Sequence, residues 1–126
     1  MANSVNTNYG ALVALQSLNN TNQQLNIAKG TIATALEATT SISNTLIKVR
    51  EVTTKLADTN LSTSQRSQYN ADLSRLAGEV TNFISNAEFN GTNLLGTIAG
   101  GVSVISNVGG SSFTVTNQEL SVTVRA

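Results

Sequence analysis

Residues 32–56 read IATALEATTSISNTLIKVREVTTKL, and apolar or small side chains recur in this stretch every three or four residues. The spacing continues for about four heptads, which is typical of a helix that packs along one seam against another helix. Because several seam positions are Ala or Thr, the pattern favours close packing inside a bundle over an independent zipper. The predicted seam comprises Ile32, Ala35, Thr39, Ile42, Leu46, Val49, Thr53 and Leu56.

A second helical pattern precedes this stretch, and a third follows it. Upstream, leucines form a stripe whose opposite face consists of Asn and Gln with almost no charge, which predicts an amphipathic helix. Those leucines are Leu12, Leu15, Leu18 and Leu25. Downstream, residues 57–61 interrupt the pattern, and Ser62 with Gln65 predicts a capping box that starts another helix. The short interruption predicts that the second and third helices are antiparallel neighbours with facing seams. The third seam comprises Tyr69, Leu73, Leu76, Val80, Phe83 and Ala87.

The period changes near residue 90. Asn90-Gly91 is predicted to end the third helix, because glycine readily adopts the left-handed conformation of a C-cap. Beyond it, alternating apolar residues predict a β-hairpin and a third short strand, with turns at residues 100–101 and 109–110. The alternating residues are Val102, Val104, Val108, Phe113, Val115, Leu120, Val122 and Val124. The fold class is therefore mainly α with a small β part (α+β): long antiparallel helices followed by a β-hairpin region.

Composition excludes several classes of function. The formal net charge is zero and the basic residues are scattered, which disfavours nucleic acid and acidic membranes as partners. The most apolar early run, residues 11–15, is far too short to span a bilayer. Without Cys or His, one chain cannot build a thiol nucleophile, an imidazole base or a usual zinc site. No two carboxylates lie close in sequence on one predicted helix face, so no acid pair is indicated. We therefore predict no enzyme, no cofactor and no metal.

The unpaired apolar stripes bear on the class of function. Helices with apolar seams and uncharged polar faces pack against copies of themselves, against a partner, or inside a monomeric bundle, and the residues alone favour none of these. The beginning of the chain, MANSVNTNYG, lacks a basic segment followed by an apolar block. The expected location is therefore the cytoplasm, or the outside of the cell by a route that uses no cleavable signal.

Three collinear stretches resemble bacterial flagellin. The first is residues 5–25, with VNTN, AL, AL and LNNTN followed by Leu25; the second is AKGTIA at residues 28–33. The third runs from VRE at residues 49–51 through EV at 79–80 to AEFNGTNLL at 87–95. SFTV at residues 112–115 is similar in style to flagellins of the α-proteobacterial type. Each stretch alone is weak, but their combination in this order is highly specific.

The resemblance implies a structural subunit of the flagellar filament. Such subunits leave the cell unfolded through the flagellar export apparatus, assisted by a chaperone, and assemble with other subunits into an extracellular filament for motility. It also implies three domains: residues 1–26 as the coiled-coil helix of the inner tube, 27–95 as the helical core domain, and 96–126 as the β-hairpin region. The leucine stripe of residues 12–25 and the two later seams would then form the assembly contacts.

The chain departs from the flagellin pattern in two places. An Arg-Ile-Ser-Thr-Gly-like stretch with a spacer and further helix normally follows the position of Asn26, and here Ile27 follows directly. The carboxy-terminal half of the pattern, which includes the partner of the amino-terminal helix, has no counterpart. The chain is thus expected to be either an excerpt or a naturally short homologue. The alternative functions are a non-polymerising flagellin-like surface or binding protein, and an unrelated helical adaptor.

Flagellins also carry a surface that the vertebrate innate receptor for flagellin recognises. By resemblance this surface corresponds to Leu46, Lys48, Val49, Arg50, Glu51 and Glu79. Lys48 replaces an Arg of the receptor-active pattern and Ile47 replaces a Gln. Lysine lacks the planar fork that makes bidentate contacts, so the resemblance implies weak or absent recognition.

Overall fold

The structure is a computed structural model that describes residues 2–97, 101–106 and 110–122, with side chains from residue 5 onward. Two helices come first: α1 spans Ala2–Leu56 and α2 spans Thr63–Asn86. Four short strands follow: β1 (Glu88–Phe89), β2 (Thr92–Asn93), β3 (Gly101–Ile105) and β4 (Ser112–Thr116). The predicted fold class, mainly α with a small β part, is confirmed.

Helix α1 is continuous over 55 residues and passes through residues 26 and 27 without a break. The chain contains no proline, which allows such a length, although its many threonines are weak helix formers. Seven threonines of α1 donate their hydroxyl to the carbonyl four residues earlier, at 2.8–3.0 Å. This local bond lets Thr31 and Thr45 be buried with a satisfied hydroxyl. The division into domains at residues 26 and 95 stays a prediction.

The connection between the helices is capped from both sides. The guanidinium of Arg66 donates to the main-chain oxygens of Leu56 and Asp58, each at 3.2 Å. The Ser62 hydroxyl accepts from the amide of Gln65 at 3.2 Å, and the Gln65 side chain accepts from the amide of Ser62 at 3.0 Å. The predicted capping box is confirmed. It fixes where α2 begins and turns the chain back along α1.

The two helices are antiparallel. Near the connection, the Lys55 ammonium lies 5.9 Å from the centroid of the Tyr69 ring. At the other end, the ring of Phe89 packs on the backbone of Gly30. Between these points α2 contributes the buried residues Leu76, Val80 and Ile84, while Leu73 and Phe83 are half-buried. The predicted α2 seam is confirmed at Leu73, Leu76, Val80 and Phe83, and Ile84 is buried as well although it lies outside the predicted seam.

Only half of the seam predicted on α1 lies on the face that packs on α2, and the prediction is wrong for the other half. Ala35 and Ile42 are buried and Val49 and Leu56 half-buried, as expected. At the other four positions of the seam, the enclosed residue is the one that precedes the predicted residue. These enclosed residues are Thr31, Ala38, Thr45 and Val52. Ile32, Thr39, Leu46 and Thr53 are consequently exposed. The physical reason is close approach, because Ala and Thr leave room for the larger Leu76, Val80 and Ile84 of α2.

Asn90-Gly91 does not end α2, which already stops at Asn86 with Ala87 as its C-cap. The pair instead forms the turn between β1 and β2, which are antiparallel, with φ of 50° at Asn90 and 77° at Gly91. Positive φ at both central residues is the requirement of a type I′ hairpin turn, and Asn-Gly is its preferred sequence. The prediction of a left-handed C-cap at this pair is therefore wrong.

The second hairpin packs its first strand on the helices. β3 and β4 are antiparallel, with Val102 opposite Val115 and Val104 opposite Phe113. Gly101 belongs to β3 and not to the predicted turn, and an added Cβ there would collide with the Val115 carbonyl oxygen. Residues 120–122 form no strand, so the predicted third strand is not present there; Gly100, Val108, Gly109 and Val124 lie outside the described residues.

One core joins all these elements. It is built mainly from small residues of α1, aliphatic residues of α2, the segment after β2, and one side chain of β3. Main-chain bonds from Gln118 to Leu94 (2.6 Å) and from Leu120 to Leu95 (3.0 Å) tie the segment after β4 to it. The buried members are Ala28, Ala35, Ala38, Ile42, Val80, Ile84, Ala87, Leu94, Leu95 and Val102.

Candidate assembly surface

The amino-terminal part of α1 extends beyond the core. From Val5 to Leu18 every side chain is exposed, and the first charged residue of the chain is Lys29. Val5 is 68% exposed, Leu12 52% and Leu18 55%, although these are side chains that usually avoid water. A long helix with an apolar, uncharged surface that none of the described residues covers is a candidate contact surface.

This apolar surface continues along α1 past the start of the core. Leu18, Leu25, Ile32, Thr39 and Leu46 follow one another at seven-residue intervals, and all five are exposed. We call these five residues the exposed seam. Each step of seven residues falls about 20° short of two full turns, so the seam winds slowly around the helix beside the buried face. Helix α1 therefore carries two neighbouring stripes. The buried face packs on α2, and the exposed seam does not.

The β3–β4 hairpin borders the exposed seam. A cleft of about 220 Å³ lies between α1 and the hairpin. The side-chain oxygen of Gln24 accepts a hydrogen bond from the Ile105 amide at 3.1 Å and holds the strand edge against the helix. Phe113 at this cleft is 64% exposed. The lining comprises Leu25, Ala28, Lys29, Ile32, Val104, Ser106, Phe113 and Val115.

The structure sorts the predicted assembly residues into two groups. The exposed group is Leu12, Leu15, Leu18, Leu25, Ile32 and Leu46. The enclosed or half-enclosed group is Ile42, Val49, Leu56, Leu73, Leu76, Val80 and Phe83. Members of the enclosed group such as Leu76, 1% exposed, and Val80, 2% exposed, stabilise the fold of one chain and offer little surface to another. Two further apolar side chains outside the predicted assembly residues are exposed: Leu36 is 66% and Ile47 56% exposed.

The residues matched to the receptor surface lie on both helices. Lys48, Arg50 and Glu51 are exposed on α1. Glu79 of α2 is half-buried and accepts a hydrogen bond from the Arg75 guanidinium at 2.5 Å, and Asp72 lies 3.9 Å from the same guanidinium. Glu79 is thus already paired within its own helix, and exposed pairs of this kind contribute little to stability.

Neither a metal centre nor a membrane span emerges from the part of the chain that the structure describes. In that part, no group of three or more Asp and Glu side chains lies close enough to hold a metal ion. Neither helix has a stretch apolar enough, over sufficient length, to cross a bilayer.

Comparison with known proteins identifies a family and several relatives that match most of the chain. Residues 13–99 match the family model described as the bacterial flagellin N-terminal helical region. Three flagellins of Caulobacter vibrioides are similar along nearly the whole chain: FljN is 30% identical over 96% of it, FljO 32% over 94%, and FljM 30% over 94%. The chain spans about 60% of the length of these relatives.

The alignments also contain a difference in length. The alignment with FljN has 164 positions and includes 96% of the 126 residues, about 121 of them, so about 43 of those positions have no residue in this chain. Flagellins are structural proteins, which agrees with the exposed apolar surface of α1. The family model covers more than half of the chain and the similarity extends over nearly all of it, and on this evidence the chain belongs to the bacterial flagellin family and is not an enzyme.

Proposed function

We propose that this chain is a structural subunit of the bacterial flagellar filament and assembles with other flagellin subunits outside the cell. The observation that carries the proposal is the exposed, uncharged apolar surface of α1. Each leucine that an adjoining subunit buries contributes roughly 1.5 to 3 kcal/mol, so several along one helix offset the cost of ordering a subunit. Contacts that repeat without closing a ring produce a helical filament.

The proposal includes the route out of the cell. A filament subunit reaches the growing tip through the flagellar export apparatus, with a chaperone that keeps the chain from associating early. The exposed apolar surface of α1 is the part that the chaperone would cover, because apolar surface also associates in water before export. A chain without cysteine also forms no disulfide that would hinder threading in an unfolded state.

The test replaces two residues of the exposed seam that lie outside the buried core. Leu18→Gln combined with Leu25→Gln removes two exposed leucines, and Asn19→Gln combined with Asn26→Gln is the control on the same stretch of helix. All four side chains are exposed, so circular dichroism is expected to stay the same in both variants. Because Leu25 also lines the cleft beside the β3–β4 hairpin, the double leucine variant is expected to unfold at a slightly lower urea concentration than the control. Sedimentation and electron microscopy are expected to show filaments for the parent and the control and none for the double leucine variant.

The competing function is a flagellin-like surface or binding protein that does not polymerise. The alignment positions without a residue in this chain favour it, since any contact that the relatives make through those positions is absent here. A parent protein that stays monomeric at every concentration and salt condition, while binding a ligand saturably, would replace the filament proposal by this one. Filaments that form equally well from the double leucine variant would show that the exposed seam is not the contact.

We further propose that the vertebrate flagellin receptor recognises this chain weakly or not at all. The reason is Lys48, whose ammonium cannot form the paired contacts of a guanidinium. In a reporter assay, Lys48→Arg is expected to raise the signal and Lys55→Arg, on the same helix, to leave it unchanged. Full-strength signalling by the parent protein would contradict this part of the proposal.

A further inference from the structure

Asn90-Gly91 is the sole Asn-Gly pair in the chain. It forms the tip of the β1–β2 hairpin, where both residues are exposed and both have positive φ. We propose that Asn90 is a site of spontaneous deamidation, at which water converts the side-chain amide to a mixture of aspartate and isoaspartate. The inference is independent of whether the chain polymerises.

The reaction needs only the chain and water. The main-chain nitrogen of Gly91 loses its proton and attacks Cγ of Asn90, forming an N–Cγ bond and a five-membered imide. The Cγ–Nδ2 bond breaks, and Nδ2 leaves as ammonia with the proton that the nitrogen released. Water then opens the imide at either carbonyl, which yields aspartate or, with the main chain routed through Cγ, isoaspartate. No oxidant, reductant or metal takes part.

The turn leaves both reacting groups accessible. A Cβ added to Gly91 would meet no atom within 4 Å, so the imide ring has open space on that side. Among the described residues, nothing forms a hydrogen bond with the Asn90 side chain. Glycine also carries no side chain that would hinder the approach of its nitrogen to Cγ.

The hairpin offers little resistance to the opening that ring closure requires. β1 and β2 hold only two pairs, Glu88 with Asn93 and Phe89 with Thr92. The exposed turn at the tip of so short a hairpin opens locally far more often than the whole molecule unfolds. The reactive conformation of Asn90 is therefore populated while the helices remain folded.

Two neighbouring asparagines provide internal references. The Asn93 amide nitrogen donates to the Ile84 carbonyl at 2.6 Å, and its oxygen accepts from the Leu95 amide at 2.8 Å. Leu94, which follows it, is buried. Asn86 ends α2 and precedes the buried Ala87. In both, the attacking nitrogen belongs to a buried residue with a side chain, so both are expected to react slowly.

The isoaspartate product disturbs the adjoining structure. It adds one carbon atom to the main chain between Asn90 and Gly91, so the two-residue turn no longer matches the register of β1 and β2. Phe89, the last residue of β1, then loses the position that places its ring on Gly30. The aspartate product retains the main chain and adds only one exposed charge, so it disturbs the fold less.

The test is peptide mapping of the intact chain after ageing at physiological temperature, at neutral and mildly alkaline pH. Mass spectrometry with electron-transfer fragmentation separates aspartate from isoaspartate. We expect Asn90 to deamidate at least about ten times faster than Asn86 and Asn93, a barrier difference of about 1.4 kcal/mol. The rate should rise with pH, because the attacking nitrogen must lose its proton.

Two variants complete the design. Gly91→Ala keeps the amide and hinders the attack, and Asn90→Gln keeps an amide but would need a six-membered ring, so each is expected to slow deamidation at position 90. Circular dichroism verifies that each variant is folded. Equal rates at Asn90, Asn86 and Asn93 in the parent protein would overturn the proposal, whatever the variants do.

Discussion

The ring of Phe89 lies on the main chain of Gly30, where a Cβ added to the glycine would stand 2.5 Å from Cε1 and 2.5 Å from Cζ of the ring. This contact joins the amino-terminal end of the core-packed part of α1 to the β1–β2 hairpin that follows α2. It depends on the absence of a side chain at position 30. It therefore gives one glycine of α1 a role that helix propensity alone would not assign.

Gly30→Ala is expected to lack the stabilisation that the same change produces elsewhere in a helix. Alanine in place of an unhindered helical glycine adds about 1 kcal/mol. Gly78→Ala in α2 is the matched control, because a Cβ there meets nothing within 4 Å. In urea unfolding, Gly78→Ala should raise the free energy of unfolding by about 1 kcal/mol, whereas Gly30→Ala should leave it equal or lower.

The cause can be isolated by removing the ring. In a Phe89→Ala background the Cβ at position 30 meets no aromatic atom, so Gly30→Ala should regain its stabilisation of about 1 kcal/mol. The double-mutant cycle would then give a coupling of about 1 kcal/mol between the two positions. A coupling near zero would show that the ring moves aside without cost.

Asn93→Ala is expected to lower the free energy of unfolding by about 1–2 kcal/mol, because the Leu95 amide loses its partner in a half-buried position. The Ile84 carbonyl keeps a second donor, the Ala87 amide at 3.3 Å, which limits the loss. Asn86→Ala is the control at an exposed neighbour. Equal unfolding midpoints for the two variants would mean that Asn93 does not hold the end of α2.

Ala35→Leu tests whether the α1–α2 contact requires small residues. Ala35 is buried against α2, so a larger side chain is expected to cost about 1–3 kcal/mol through overpacking. Ala33→Leu, exposed on the same turn of helix, should change the free energy of unfolding by less than about 0.5 kcal/mol. The reverse order in thermal unfolding would show that the buried face was misplaced.

Ser62→Ala removes the side chain that starts α2. Losing an N-cap hydroxyl typically costs about 1 kcal/mol, and here the reciprocal bond of the Gln65 side chain would also lose its alignment. Thr63→Ala, inside the helix and exposed, is expected to be close to neutral. Differential scanning calorimetry of the pair compares them directly, and equal melting temperatures would argue against the cap.

Much of this architecture follows from local chemistry that the sequence shows directly. Ser62 and Gln65 mark the start of α2, because a capping box needs only residues three apart. The four-and-three spacing from Leu73 to Ala87 locates the face of α2, because its large aliphatics form one stripe. The alternation around Val102 and Val115 predicts strands, because side chains of period two point to opposite faces of a sheet.

The face of α1 that meets α2 could not be chosen in that way. The helix carries two overlapping stripes one residue apart, and the larger side chains, such as Ile32 and Leu46, lie on the exposed one. Local reasoning places large aliphatics inside. The structure places Ala and Thr inside, because α2 supplies the volume and requires a shallow surface opposite it. Only the pairing of the two helices determines which stripe is buried.

Asn90-Gly91 shows the same division on a smaller scale. The sequence alone determined that the helical pattern stops near this pair and that its glycine accepts positive φ. Whether the pair caps a helix or forms the turn of a hairpin depended on Asn93, whose side chain reaches back to the carbonyl of Ile84. Local preferences act between residues a few positions apart and can be predicted from the sequence. Contacts between distant segments exist only once the segments have packed.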